Sequence, residues 1–526
     1  MKFDIISVTS RTITIEVVSD ECVYAKNNFE IYLDGEVTKL SNKNVTTISG
    51  LEPNKEYEVY LKDINALSYS NIKIFRTKYE CATLNVKDFG ALGTGNQYDT
   101  AALQAAILAC PEDGRVVIPP GNYLTAPLFL KSNMTLEIQK GAILLGSTIR
   151  RDYPILPGII QTTDKSDELY LGSWEGDPAD CFASLITGIG VKNVKIIGEG
   201  IIDGNASFEN WWKDAKQKRT AWRPRLIFLK DCSNILIEDI TVQNSPSWTI
   251  HPMFCENLKL INLKIVNPKD SPNTDGINPE SCNHVEIIGV DFSVGDDCIA
   301  IKSGKIYIGR KLKTPSQDII IRNCHMKFGH GAIVIGSEMA GGIKNIYASR
   351  CIFEETDRGI RIKTRRGRGK DGIINGINAE NIIMKKVLTP FVINCFYFCD
   401  PDGKTEYVWS KEKLPVDERT PSIRNVYIKD IICEGCEVAS GFIYGLPEKK
   451  IENITLENIR MSFTLDAKPG YPAMMSFLDE QVRAGFFIGN AKNVMIKNFT
   501  TENVIGDPFI FSEVEGLFYQ NYKEVF

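Results

Sequence analysis

Four short clusters between positions 270 and 365 are the part of this 526-residue chain best equipped for chemistry. They are Asn273-Thr274-Asp275-Gly276, Gly295-Asp296-Asp297, Gly329-His330-Gly331 and Arg361-Ile362-Lys363. Singly, NTDG and GDD are good turn sequences, and a histidine between glycines is usually structural. Together they fit a scaffold poorly. Three carboxylates brought side by side repel one another, and such crowding is tolerated mainly where a reaction needs it. One carboxyl group can protonate a leaving oxygen while its neighbours activate water, with His330 adjusting their protonation.

Chemistry of this kind requires an element that brings the clusters together. They are separated by 21 residues (Asp275 to Asp296), 33 (Asp297 to His330) and 31 (His330 to Arg361). From about residue 82, short apolar runs recur behind an Asn or Asp, as in NVKIIG at 193, NILIEDI at 234, NLKLINL at 257 and NHVEIIG at 283. The series continues to NVMIKNF at 493, with several steps near 23–28 residues. Repeats of that length, with β-branched strands and no 3.6-residue period, predict a parallel β-helix. Parallel strands lie about 4.8 Å apart, so the four clusters would stack within roughly 15 Å along its axis. Cys232, Cys255 and Cys282, then Cys324 and Cys351, advance in similar steps and read as a small-residue stack inside the coils. The asparagines read as scaffold, their amides bonding along the axis. A short helix is expected over Ala101–Cys110, capped by Asp99 or Thr100 and ended by Pro111.

Residues 1–78 read as a separate all-β domain, leaving 79–526 to the coil. Asp34-Gly35 is a hairpin turn signal. Leu51, Pro53 and Tyr57 stand before a strand in a pattern resembling the E–F corner of fibronectin type III domains. The fold class expected is all-β, a fibronectin type III-like β-sandwich followed by a parallel β-helix.

Net charge is −5, so no global basic field draws the chain to nucleic acid. No stretch approaches the apolar length of a membrane span. The opening residues alternate apolar and polar and lack a signal-peptide core, which with fourteen scattered cysteines suggests reduced thiols and a cytoplasmic location. Cys433 and Cys436 form one CxxC, weak evidence for zinc without a partner pair. The run Arg358–Lys370 holds seven cations in an acidic protein and, because it contains Arg361-Ile362-Lys363, reads as a patch for substrate carboxylates, against the plainer readings of a solvated loop or a nucleic-acid patch.

NTD, DD, GHG and RIK, in this order and spacing, resemble the signature of the polygalacturonase family of glycoside hydrolases. Val86–Ile107, VVIPPGNY and NSPSWTIHP resemble it too. The resemblance implies a right-handed β-helix and hydrolysis of polygalacturonate or oligogalacturonides with inversion. It implies Asp296 as general acid, Asp275 and Asp297 as holders of the attacking water, and His330 beside the acid. It also implies Arg361 and Lys363 on a substrate carboxylate and Asn273 on the sugar, with no metal or cofactor. Acid and base in inverting enzymes ordinarily stand about 6.5–9.5 Å apart. Insertions at Arg151–Phe182, Asp203–Arg225 and Tyr397–Pro421 carry Trp174, Trp211, Trp212, Trp222 and Trp409, which could stack on sugars or pack the loops. Long walls point to attack at a chain end. An endo enzyme, a rhamnogalacturonan or xylogalacturonan hydrolase, a calcium-dependent pectate lyase and a non-enzymatic carbohydrate-binding β-helix are the competing readings. Oligomeric state is left open.

Overall fold

The computed structural model describes residues 1–164 and 166–525. The first eight strands make two antiparallel sheets, one of three strands and one of five, that enclose Phe3, Ile13, Ile15, Phe29, Ile31, Val59 and Leu61. Asp34 and Gly35 both take positive φ and join Tyr24–Leu33 to Glu36–Lys43 as a two-residue turn. Tyr57 is buried, and its hydroxyl accepts from Glu52 N–H at 2.9 Å, closing the expected corner back onto upstream backbone.

Strands of the sandwich end at Arg76, and the first coil strand begins at Thr83. From there the chain winds into a right-handed parallel β-helix. One face keeps a strict register: Val194, Ile235, Leu258, Val285, Ile319, Ile346, Ile377, Val426, Ile454 and Val494 stack in line, all inside the core. Asn193, Asn234 and Asn257 take the left-handed backbone conformation at the corner, and each amide donates to the preceding one at 2.7–3.2 Å. This explains the recurring asparagine. It is a residue type that tolerates αL and it offers both a donor and an acceptor to the rungs above and below. The five stacked cysteines are buried and unbridged, as are Cys433 and Cys436.

Helix Thr100–Ala109 covers the first rungs. Neither expected cap bonds to the helix end. Asp99 instead accepts from the backbone of Leu92 and Gly93, and Thr100 Oγ1 accepts from Ala126 N. The sandwich lies against the coil: Glu16 pairs with Arg322 and Arg350, Thr12 donates to buried Glu238, and Val45 packs on Ile261 and Ile288. Among the described residues no helix is long and apolar enough to cross a membrane.

Candidate active site

A third stack of short strands carries the chemistry: Ile250–Met253, Ile299–Ile301, Ile333–Ile335 and Arg358–Lys363. Ile277 bridges the first two. The NTD, GDD and GHG turns lie just ahead of this stack. Backbone bonds lock them in step: Thr249 N to Asp275 O, Gly276 N to Asp297 O and Cys298 N to Gly331 O, at 2.8–3.0 Å. A side chain on Gly331 would press on Val334 and Asp297, and one on Gly329 would strike the Asp296 carbonyl, so both glycines are needed for the rungs to close.

As expected, Asp275, Asp296 and Asp297 converge. One carboxylate oxygen from each lies within 4.8 Å of the others, about one rung spacing. That is shorter than the 6.5–9.5 Å expected from the general pattern of inverting enzymes. The reason is architectural: the three groups sit on adjoining rungs of one stack and not on opposite walls of a cleft.

Their environments differ. Burial alone would raise the Asp297 carboxyl, but Lys363 Nζ at 2.8 Å and Arg361 at 3.2 Å pull it down to about 2. Asp275 is fully enclosed. Burial, then the charge of Asp296, pushes it well above the usual carboxylate range, although Asn278 donates to it at 2.7 Å. Asp296 is raised by burial and by Asp297, with His330 opposing, and remains partly open to solvent. Of the two residues expected to hold the water, Asp297 is thus held toward its ionised form, while burial and Asp296 raise the proton affinity of Asp275. The three carboxylates could geometrically face a cation. However, Asp297 is already paired with two cations and burial raises the proton affinity of its neighbours, a poor donor set for a divalent ion.

His330 Nδ1 meets Asp357 at 2.8 Å. That hydrogen bond first, and then Asp296, raises the imidazole to about 9, so it is a cation at neutral pH. Asp357 was not among the residues singled out from sequence, though it lies one coil step, 27 residues, beyond His330. Asn273, in αL, accepts from Arg223 at 2.7 Å. Arg223 also donates to the carbonyls of Pro246 and Pro272 and so pins the turn that carries Asp275.

The basic run corrects an expectation. All seven of its cations have partners inside the chain. Arg358 holds Tyr471, Pro472 and Asp357, and Arg361 and Lys363 hold Asp297. Arg365 and Arg368 hold Asp400, Arg366 holds Glu448, and Lys370 holds Glu418. Most of the patch clamps the Tyr397–Pro421 insertion to the coil. Of the tryptophans, Trp211 and Trp212 pack a small core with Tyr153 and Phe182, and Trp174 stacks on Trp222 at 4.5 Å.

This arrangement suits acid–base hydrolysis of a polymer lying over the stack, and the comparisons with known proteins agree. The model of glycosyl hydrolases family 28 matches residues 172–466, more than half of the chain, and one described as rhamnogalacturonase A/epimerase, pectate lyase-like matches 83–147. A probable polygalacturonase of Vitis vinifera is 30% identical over 77% of this chain and 78% of its own length. An exo-poly-alpha-D-galacturonosidase of Dickeya chrysanthemi is 27% identical (73% and 69% covered), and an endo-polygalacturonase of Pectobacterium parmentieri is 28% identical (74% and 88% covered). In fold, the chain superposes on a Yersinia enterocolitica family 28 exopolygalacturonase with a TM-score of 0.73, covering 98% of each chain at 22% identity. The chain belongs to family 28 of the glycosyl hydrolases, and it is a polygalacturonase of that family.

Proposed function

We propose that the enzyme works from a chain end, releasing short products from polygalacturonate or oligogalacturonides with inversion. The observation that carries the exo reading is a clasp across the stack. Lys305 Nζ joins Asp400 at 3.1 Å, from one insertion, to Asp177 at 3.6 Å, from another. Lys305 N–H also donates to Gly176 O, at the tip of a tight hairpin. The clasp adjoins Lys302 and Glu338, and Lys302 faces Asp275 and Asp297; on this reading the clasp is the wall that ends the groove beside the carboxylates. The relatives' names divide between exo and endo; the clasp favours exo.

In the step itself Asp296, partly open and favouring its protonated form, gives its proton to the leaving glycosidic oxygen. Asp297, held ionised, takes a proton from water as the water attacks the anomeric carbon, with Asp275 and Asn278 fixing that water. Cationic His330 steadies the Asp296 carboxylate left behind. Arg361 and Lys363, after holding Asp297, keep further N–H donors for a substrate carboxylate. The test is a product time course on polygalacturonate and short oligomers with EDTA present. Only mono- or digalacturonate should appear early, in saturated form. A ladder of intermediate oligomers would overturn the exo reading, and a need for calcium with ultraviolet-absorbing products would overturn hydrolysis. A panel with rhamnogalacturonan and xylogalacturonan checks the substrate.

A further inference from the structure

With the basic run committed to internal partners, one guanidinium beside the stack stands apart. Arg225 is 3% exposed. Its Nη1 reaches Cys181 Sγ at 3.3 Å, while Nε and Nη2 are buried without any hydrogen-bond partner. No carboxylate pairs with it among the described residues. Instead it lies between two indoles, 5.3 Å from Trp174 and 5.1 Å from Trp248. Leaving two guanidinium N–H groups unmatched is costly, since hydrogen bonds to charged groups are the strong ones and a buried unsatisfied donor loses its water as well. A fold of this size could have placed an acid there, as it did at every position of the basic run.

The register tells where this guanidinium sits. Ile227, Ile250, Ile277 and Ile299 stack in line, which places Arg225, Trp248, Asp275 and Asp297 in line two residues earlier. Arg225 is therefore two rungs before Asp275, about 10 Å along the axis. It lies on the side opposite Arg361 and Lys363.

We propose that Arg225 binds the carboxylate of the galacturonate seated at the closed end of the groove, with Trp248 as the flat wall for the sugar ring. This rests on the exo reading above. A carboxylate supplies the two parallel acceptors that Nε and Nη2 lack, the geometry in which arginine exceeds lysine. Arg225 and Trp248 belong to the coil. Trp174, which lies against the Arg225 guanidinium, is carried by the short hairpin Ser173–Pro178.

The experiment measures binding by calorimetry to full-length enzyme silenced by Asp296→Asn, with Arg225 intact, Arg225→Lys or Arg225→Met, each first checked for native folding by circular dichroism. The ligands are trigalacturonate and trigalacturonates methyl-esterified on one terminal sugar, each end in turn. With Arg225 present, esterifying the sugar at the closed end should weaken binding about tenfold or more. In Arg225→Met acid and ester should bind alike, and Arg225→Lys should restore part of the preference. Equal weakening of both ligands in Arg225→Met, with their ratio unchanged, assigns Arg225 to packing and overturns the proposal. If Arg225→Met does not fold, the lysine variant decides: a preference unchanged from the parent overturns it as well. Failure of the Arg225-intact enzyme to bind trigalacturonate at all would instead strike at the functional reading beneath it.

Discussion

Replacing Asp357 with asparagine should lower the proton affinity of His330 and narrow the pH range of activity from the alkaline side. The hydrogen bond that His330 donates to the Asp357 carboxylate is the largest contribution raising His330 to about 9 from its ordinary 6.5. Asp357→Asn keeps the shape but removes the charge, while Asp296 and Asp297 still favour the imidazolium. The fall is therefore smaller than the full interval. His330 and Asp357 are 57% and 36% exposed, so water screens the pair further, and the expected shift is about one pH unit downward. The sign follows from linkage: a raised histidine stays protonated up to its folded-state value, so lowering that value loses the cation at a lower pH. Two assays read it, the NMR titration of the His330 ring and the alkaline limb of kcat/KM. Both should move together, with the acid limb nearly fixed because it belongs to Asp297, the base that must be ionised. If His330 titrates unchanged in Asp357→Asn, the assignment of its main partner is wrong. If the ring shifts and the alkaline limb does not, His330 carries no part of the pH dependence.

Three further outcomes follow from the same geometry. Lys363→Met should raise Asp297 and move the acid limb of the rate profile upward. Because Asp297 is depressed to about 2, its stabilisation is complete above the unfolded value and is lost as pH falls through about 2, so the variant should lose about 1–3 kcal/mol at neutral pH and little below about pH 2, measured by urea denaturation. Proton NMR of the first product should show the β-anomer from an α-linkage; α-anomer first would mean retention, a live test given carboxylates within 4.8 Å. Tyr57→Phe should cost the sandwich about 1 kcal/mol through the lost bond to Glu52 and leave turnover intact; reduced kcat would tie that domain to the active site.

The sequence by itself determined the β-helix and the identity of its active face. The asparagine-led strands repeat at a step that only a stacked coil satisfies, and a strand's apolar runs report burial locally. The NTD, GDD and GHG turns were legible for the same reason: each is contiguous, and one coil step sets its neighbours. Tertiary structure decided whatever depends on pairing across rungs and loops. That Asp297 is pulled down while its neighbours are pushed up follows from Lys363 and Arg361 lying beside it, 66 and 64 residues away. The same holds for the basic run, whose arginines look free in one dimension and are consumed by Asp400 and Glu448 in three. Arg225 is the converse case: nothing near it in sequence marks it, and only its burial with Nε and Nη2 unmatched and no carboxylate beside it singles it out. Local pattern fixes which backbone forms, because strand and turn preferences are short-range; charge state and substrate access depend on a few ångströms between residues far apart in the chain, and folding alone sets those.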